Sequence, residues 1–198
     1  MATPYAELDL SRPVETTAGL SLTLVVMRPS AGILMSTIDA RTPMDAITNF
    51  LSKACKARVG EDLVDIKGID LDVADAGDLT DIIQAMSVEA NEAPEPEGDG
   101  LDTPMVYTLA HPISLAEDQT VRQIEFRAKK LGEVADFLNA RGATEEFLAF
   151  MRNFGRILGL GLPMTDSFSR ALDFYDYLVI KEKFMGKLAV SRRRWKKL

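Results

Sequence analysis

A chain of 198 residues, 46% hydrophobic and 27% charged, can bury a core in one large domain or two small ones. It has no apolar run near the roughly 20 residues that cross a bilayer, its first residues MATPYAELDL lack the basic and apolar regions of a signal peptide, and its one cysteine, Cys55, excludes an internal disulfide framework, so a cytoplasmic locale is expected. The net charge of −7 is uneven: from Lys181 to Leu198 eight basic residues face Glu182 alone, a net +7 that leaves −14 on the rest, and so acidic a body argues against general nucleic-acid binding.

In chain order, Leu8 and Leu10 precede Pro13, a turn contains Gly19, and LSLTLVV follows. This pattern predicts a β-hairpin whose first strand, interrupted by proline, lies at a sheet edge. Ser30 can cap a helix over Ala31 to Ala40. Thr42-Pro43 opens a second helix, with Thr as cap and Pro as first helical residue. Its apolar stripe is Ala46, Ile47, Phe50, Leu51 and Ala54. The acidic run Asp62, Asp65, Asp70, Asp72, Asp75 and Asp78 lacks the glycine and closing glutamate of a calcium loop. It reads as a loop and helix start with capping aspartates, and DLTDIIQAM forms the next helix. Ser87 to Pro104 has three prolines, two glycines and six acidic residues, which predicts an extended, mobile linker.

Beyond it, YTLAHPI, the polar turn SLAEDQ and VRQIEF predict a second hairpin. Thr144 caps EEFLAFMRNFGRIL, with Phe147, Leu148, Met151, Phe154 and Leu158 on one side. Gly159 and Gly161 read as a helix stop and a turn closed by Pro163. SFSRALDFYDYLVIKEKFM is a last helix, and the basic SRRRWKKL follows.

The halves can be superposed by offset. Pro13 and Pro112 are 99 apart, as are Arg28 and Arg127. Leu22, Val25 and Met27 then fall on Val121, Ile124 and Phe126. One residue is gained after that arginine, so that Gly32 meets Gly132 and Ala40-Arg41 meets Ala140-Arg141. Ile47, Phe50 and Leu51 meet Phe147, Phe150 and Met151. The register predicts an internal duplication. The expected fold is α+β and mostly helical: two tandem units, each a β-hairpin followed by about three helices. Residues 1–86 form the first unit, 87–104 the linker, 105–190 the second unit and 191–198 a basic tail.

Catalytic chemistry is hard to find. His111 is the one histidine, has no partner histidine or cysteine near it in sequence, and reads as an edge-strand residue rather than a metal ligand. Cys55 falls on or beside an apolar stripe and reads as a small buried hydrophobe. Phosphate-loop, nucleophile-elbow and zincin motifs do not occur. No catalytic residue, cofactor or metal is therefore assigned. The partner-binding candidates are Arg192, Arg193, Arg194, Trp195, Lys196 and Lys197. They could dock on an acidic protein surface with Trp195 as anchor or contact nucleic acid. Alternatively, they are a solubilising helix end.

VVMRPSAGIL (Val25 to Leu34) joins a strand to a helix through Arg-Pro, and EFRAKKLGEV (Glu125 to Val134) does so with an insertion and without the proline. With the strand Leu10-to-Pro13 ahead of it, this junction resembles the tail assembly chaperone family of long-tailed bacteriophages, in its Mu-like branch. Members usually hold one such unit, and this chain would hold two. The resemblance implies a non-enzymatic protein in the host cytoplasm that binds the tape measure protein and helps recruit tail tube subunits. A structural tail or baseplate component built from a duplicated module is the alternative. Self-association is compatible with either.

Overall fold

The computed structural model describes residues 4–67, 71–100, 102–116, 119–129 and 134–190. The chain divides into two compact units, Met1–Val88 and Glu89–Leu198.

In the first unit β1 (Pro4–Thr16) and β2 (Gly19–Met27) form a hairpin. Next come α1 (Ala31–Ile38), α2 (Pro43–Ala54), β3 (Cys55–Val59), β4 (Asp62–Val64) and α3 (Val73–Asn91). The strands make one antiparallel sheet in the order β1-β2-β3-β4. The β-branched and leucine-rich β2 occupies its interior, where Leu24, Val25 and Val26 are all fully buried. The start of α2 follows from local chemistry. Thr42 Oγ1 accepts the Asp45 backbone N–H at 3.1 Å, and Pro43 takes a position whose own N–H would have no helical partner. Of the predicted stripe, Phe50, Leu51 and Ala54 are buried, while Ile47 is exposed. Ser30 flanks α1 but makes no side-chain cap bond, and α1 ends at Ile38.

In the second unit β5 (Met105–Ala116) and β6 (Gln119–Phe126) form the hairpin. Then follow α4 (Ala135–Asn139), α5 (Ala143–Phe154), β7 (Gly155–Ile157), α6 (Asp166–Ala171) and α7 (Phe174–Val179). A π-helical turn, Ile180–Met185, continues α7 into α8 (Gly186–Val190). The sheet is β5-β6-β7, again antiparallel. Aromatic rings fill this core. Phe126 stacks on Phe150 (5.5 Å between centroids) and Phe150 on Phe154 (5.2 Å). Phe147 meets Tyr177 edge-on at 4.5 Å, and Phe184 joins Phe126 and Tyr107. Each such ring contributes about 1.5–3 kcal/mol by burial, and edge-on or offset pairing adds to that.

The fold is not the mostly helical pair of tandem hairpin-plus-three-helix units that the sequence predicts. Among the described residues 44% are helical and 32% in strands, arranged in two antiparallel sheets. The difference lies in the strands that return after α2 and α5. CKARV and GRI follow their helices without an intervening residue and pair with β2 and β6. The expected helix through Leu158 therefore stops at Phe154, and its N-cap position is Gly142, with Thr144 inside the helix. Gly155 permits the stop, because a Cβ there would lie 2.8 Å from Met164 Cγ and 2.9 Å from the Met151 carbonyl oxygen. The expected last helix is broken at Leu172-Asp173 into α6 and α7. What the units share is a β-β-α-α-β segment, and they diverge after it: one adds β4 and a 19-residue helix, the other several short helical pieces.

Strand pairing also moves the gained residue. Leu24, Val25 and Val26 pair with Ala57, Lys56 and Cys55 as Ile124, Glu125 and Phe126 pair with Ile157, Arg156 and Gly155. The equivalent of Phe126 is thus Val26, not Met27, and Arg28 corresponds to Ala128, not Arg127. The extra residue sits in β5, at the register shift between Ser114 and Ala116.

The stretch expected to be a linker has definite partners. α3 runs on to Asn91, since the first helix-breaking proline comes only at Pro94. Ala93, Pro96 and Gly100 are buried. Lys187 Nζ donates to the carbonyls of Pro96 (2.9 Å) and Gly98 (2.8 Å), and Lys183 pairs with Glu95 at 2.7 Å. Asp99 Oδ1 accepts from the Asp102 and Thr103 backbone N–H groups. Residues 93–100 and 102–104 form a strap of the second unit.

Candidate functional site

The two prolines mark one device that occurs in both units. In β1 the register jumps between Asp9 and Val14, so Leu10, Ser11, Arg12 and Pro13 bulge from the ladder. In β5 it jumps between Thr108 and Ile113, and Leu109, Ala110, His111 and Pro112 bulge. The bulge frees backbone N–H groups that need acceptors. A buried aspartate from a later helix supplies them each time.

In the first unit this is Asp75. Ser11 donates its backbone N–H to Asp75 Oδ1 (3.1 Å) and Oδ2 (3.2 Å), and its hydroxyl to Oδ2 (2.9 Å). Arg12 Nε lies 3.7 Å from Asp72 Oδ2. In the second unit Asp176, fully buried, takes the role. Its Oδ1 accepts the Tyr107 hydroxyl (2.7 Å) and the Ala110 N–H (2.8 Å), and its Oδ2 accepts the His111 N–H (3.1 Å). His111 Nδ1 lies 3.5 Å from Asp173 Oδ1 and 3.8 Å from Asp176 Oδ2. Asp173 also caps α7 by accepting the Tyr175 N–H.

The pattern is D-x-x-D at the helix start, its first aspartate just before the helix: Asp72 and Asp75, Asp173 and Asp176. The first carboxylate faces the basic residue before proline, Arg12 or His111. The second clamps the bulge. Sequence reading placed Asp72 and Asp75 in a diffuse acidic run and gave His111 no partner. The signal was a D-x-x-D at a similar distance in both halves, beginning 59 residues after Pro13 and 61 after Pro112.

Burial pushes the Asp176 carboxyl above its ordinary range, and the Tyr107, Ala110 and His111 hydrogen bonds pull against that. Burial first, then the Asp176 charge and hydrogen bond, push the Tyr107 hydroxyl up. His111, Asp173 and Asp176 can bring ligand atoms within 4.8 Å of one another. However, three donors already engage Asp176, and the matching position in the first unit holds an arginine, which ligates nothing. What the units share is a buried carboxylate that accepts backbone N–H groups of the bulge, beside a second carboxylate that faces a basic side chain. Burial also pushes the Cys55 thiol up to about 12, in keeping with its reading as a packed hydrophobe.

The second unit carries two further surface features. The first is the stretch LGLGLP, which forms a closed loop beyond β7. Ile157 N–H donates to the Leu162 carbonyl and Gly161 N–H to the Ile157 carbonyl, both at 2.9 Å. Gly159 (φ 87°) and Gly161 (φ 66°) supply the left-handed backbone this closure needs. The result holds Leu158, Leu160 and Leu162 outward, 40%, 46% and 52% exposed. The corresponding turn of the first unit, Gly60-Glu61, is polar. The second is a cavity of about 570 Å³ between the strap and the edge of β5. The basic candidates Arg192, Arg193, Arg194, Trp195, Lys196 and Lys197 lie outside the described residues.

No family model, curated protein or solved structure matches the chain. Among the described residues no helix is long and apolar enough to cross a membrane.

Proposed function

We propose that the chain is a non-enzymatic tail assembly chaperone of a long-tailed bacteriophage or prophage, which binds the tape measure protein in the host cytoplasm and assists tail tube assembly. The reading starts from the VVMRPSAGIL junction, which runs from the end of β2 through Arg28-Pro29 into α1. The observation that carries it furthest is the apolar loop tip Leu158-Leu160-Leu162. Its backbone is internally bonded and its side chains face water, an arrangement suited to covering by an apolar partner surface. Such a tip has a use in binding a long, aggregation-prone helical client and none in acid–base or nucleophilic chemistry.

Co-expression with a tape measure protein from the same genome tests the proposal. A soluble complex is expected with the native chain, and Leu160→Asp combined with Leu162→Asp should weaken it while the secondary structure stays intact. A tape measure protein that remains insoluble, with nothing retained on the native chain, refutes it. Stoichiometric retention of the chain in finished particles would assign it instead to the structural components of the tail.

A further inference from the structure

The cavity of the second unit lies between proline and aromatic walls. Pro94, Pro96 and Pro104 of the strap line one side, and Tyr107, Tyr175 and Phe184 the other. At about 570 Å³ it falls within the roughly 300–1,000 Å³ typical of small-molecule clefts. The Tyr107 ring is held in place. Its hydroxyl donates to Asp176 Oδ1 at 2.7 Å, and Phe184 meets it edge-on with 5.3 Å between centroids. A wall fixed before the ligand arrives lowers the ordering cost of binding.

The strap already receives cations from its own chain. Lys187 Nζ donates to the carbonyls of Pro96 (2.9 Å) and Gly98 (2.8 Å), and Lys183 pairs with Glu95 at 2.7 Å. Those two ammonium groups leave one carboxylate over. Glu97 lines the cavity, is exposed, and has no ion-pair partner among the described residues. Among the described residues no lysine, arginine or histidine lines the cavity. An anion entering it would meet Glu95 and Glu97 with nothing basic in the lining to offset them. A cation would meet Glu97 and the faces of aromatic rings, which attract positive charge through their quadrupole. Proline and ring surfaces suit the apolar body that carries such a charge.

We propose that this cavity binds a small organic cation, an ammonium or quaternary ammonium group on an aromatic or aliphatic body. The charged head faces Glu97 and the rings of Tyr107, Tyr175 and Phe184, and the body lies against the strap prolines. The site does not depend on the chaperone reading, since none of its residues belongs to the leucine tip.

Benzyltrimethylammonium is the probe and benzyl alcohol its uncharged control. Each is titrated into the full chain while backbone amide signals are followed by NMR. The cation should shift the amides of Val106, Thr108 and Tyr175. It should bind about tenfold more tightly than the alcohol, the ratio that a desolvated cation–ring contact supplies. Glu97→Gln should weaken the cation by about two- to fivefold, as loss of an exposed charge pair does, and leave the alcohol unchanged. Val106→Arg places a fixed cation at the cavity wall and should abolish the shifts. No shift at these residues across the titration overturns the proposal. Equal affinity for cation and alcohol does so too, as that of an apolar cleft without charge selection. Acetylarginine amide is the third arm: shifts with it and none with benzyltrimethylammonium would mean a site for peptide side chains and also overturn it. If Val106→Arg loses the far-UV spectrum of the native chain, Glu97→Gln decides, and an unchanged affinity for the cation refutes the assignment.

Discussion

Replacing Asp176 by alanine tests the clamp most directly. The carboxylate accepts from Tyr107, Ala110 and His111, and it is fully buried. Hydrogen bonds to a charged group contribute about 1.5–3 kcal/mol each, so three lost bonds set an upper range of about 4.5–9 kcal/mol. Against this, the variant no longer buries a charge, a relief of several kcal/mol. The balance predicts that Asp176→Ala destabilises the chain by about 2–5 kcal/mol. Asp176→Asn should fall between, because its Oδ1 can still accept two donors while its amide opposes the third. Urea unfolding followed by far-UV circular dichroism measures the loss, and amide exchange at Ala110 and His111 localises it. The pH dependence has a defined sign. The folded carboxyl titrates above 3.8, so between that value and its folded pKa the native state holds more protons than the unfolded one. Stability contributed by this group is therefore highest below 3.8 and declines as pH rises through the interval. Asp176→Asn should remove that component of the slope. A loss below about 1 kcal/mol for Asp176→Ala, a single ordinary hydrogen bond's worth, would show that the bulge holds without its clamp and refute the reasoning.

Other outcomes follow from single positions. Gly155→Ala places a methyl against Met164 Cγ and the Met151 carbonyl and should cost about 1–3 kcal/mol in a denaturant melt, as overpacking does. Cys55, buried with its thiol pushed up to about 12, should resist thiol reagents at pH 8 in the native chain and react on unfolding. Labelling at the rate of a free thiol would contradict its burial. Thr42→Ala removes the acceptor for the Asp45 N–H and should cost about 1 kcal/mol. A Thr42→Ser variant should restore most of it.

Local chemistry was legible in the sequence where a residue acts on its neighbours. Thr42-Pro43 announces α2, and Pro13 and Pro112 announce strands that lie at an edge. β3 and β7 were not legible, because five and three residues after a helix carry too few apolar positions to separate period 2 from period 3.6. Only pairing with β2 and β6 decides them, and that contact is made about thirty residues away. The clamp was hidden for the same reason at longer range, since Ser11 meets Asp75 across 64 residues and Ala110 meets Asp176 across 66. Apolar spacing alone places the extra residue after Arg127, whereas strand pairing places it between Ser114 and Ala116. The insertion sits beside a turn, where no apolar register constrains it.

The clamp also explains how the chain keeps long edge strands. β1 has 13 residues and β5 has 12, and each pairs on one side within its own sheet. A flat edge of that length is a template for pairing with other chains. Here the register shifts, the proline removes a donor, and the aspartate takes up the N–H of Ser11 in one unit and those of Ala110 and His111 in the other. Bulge and proline alone would leave those N–H groups available to an incoming strand. On this reasoning the buried aspartates do two jobs with one set of hydrogen bonds, holding the fold and closing the edge.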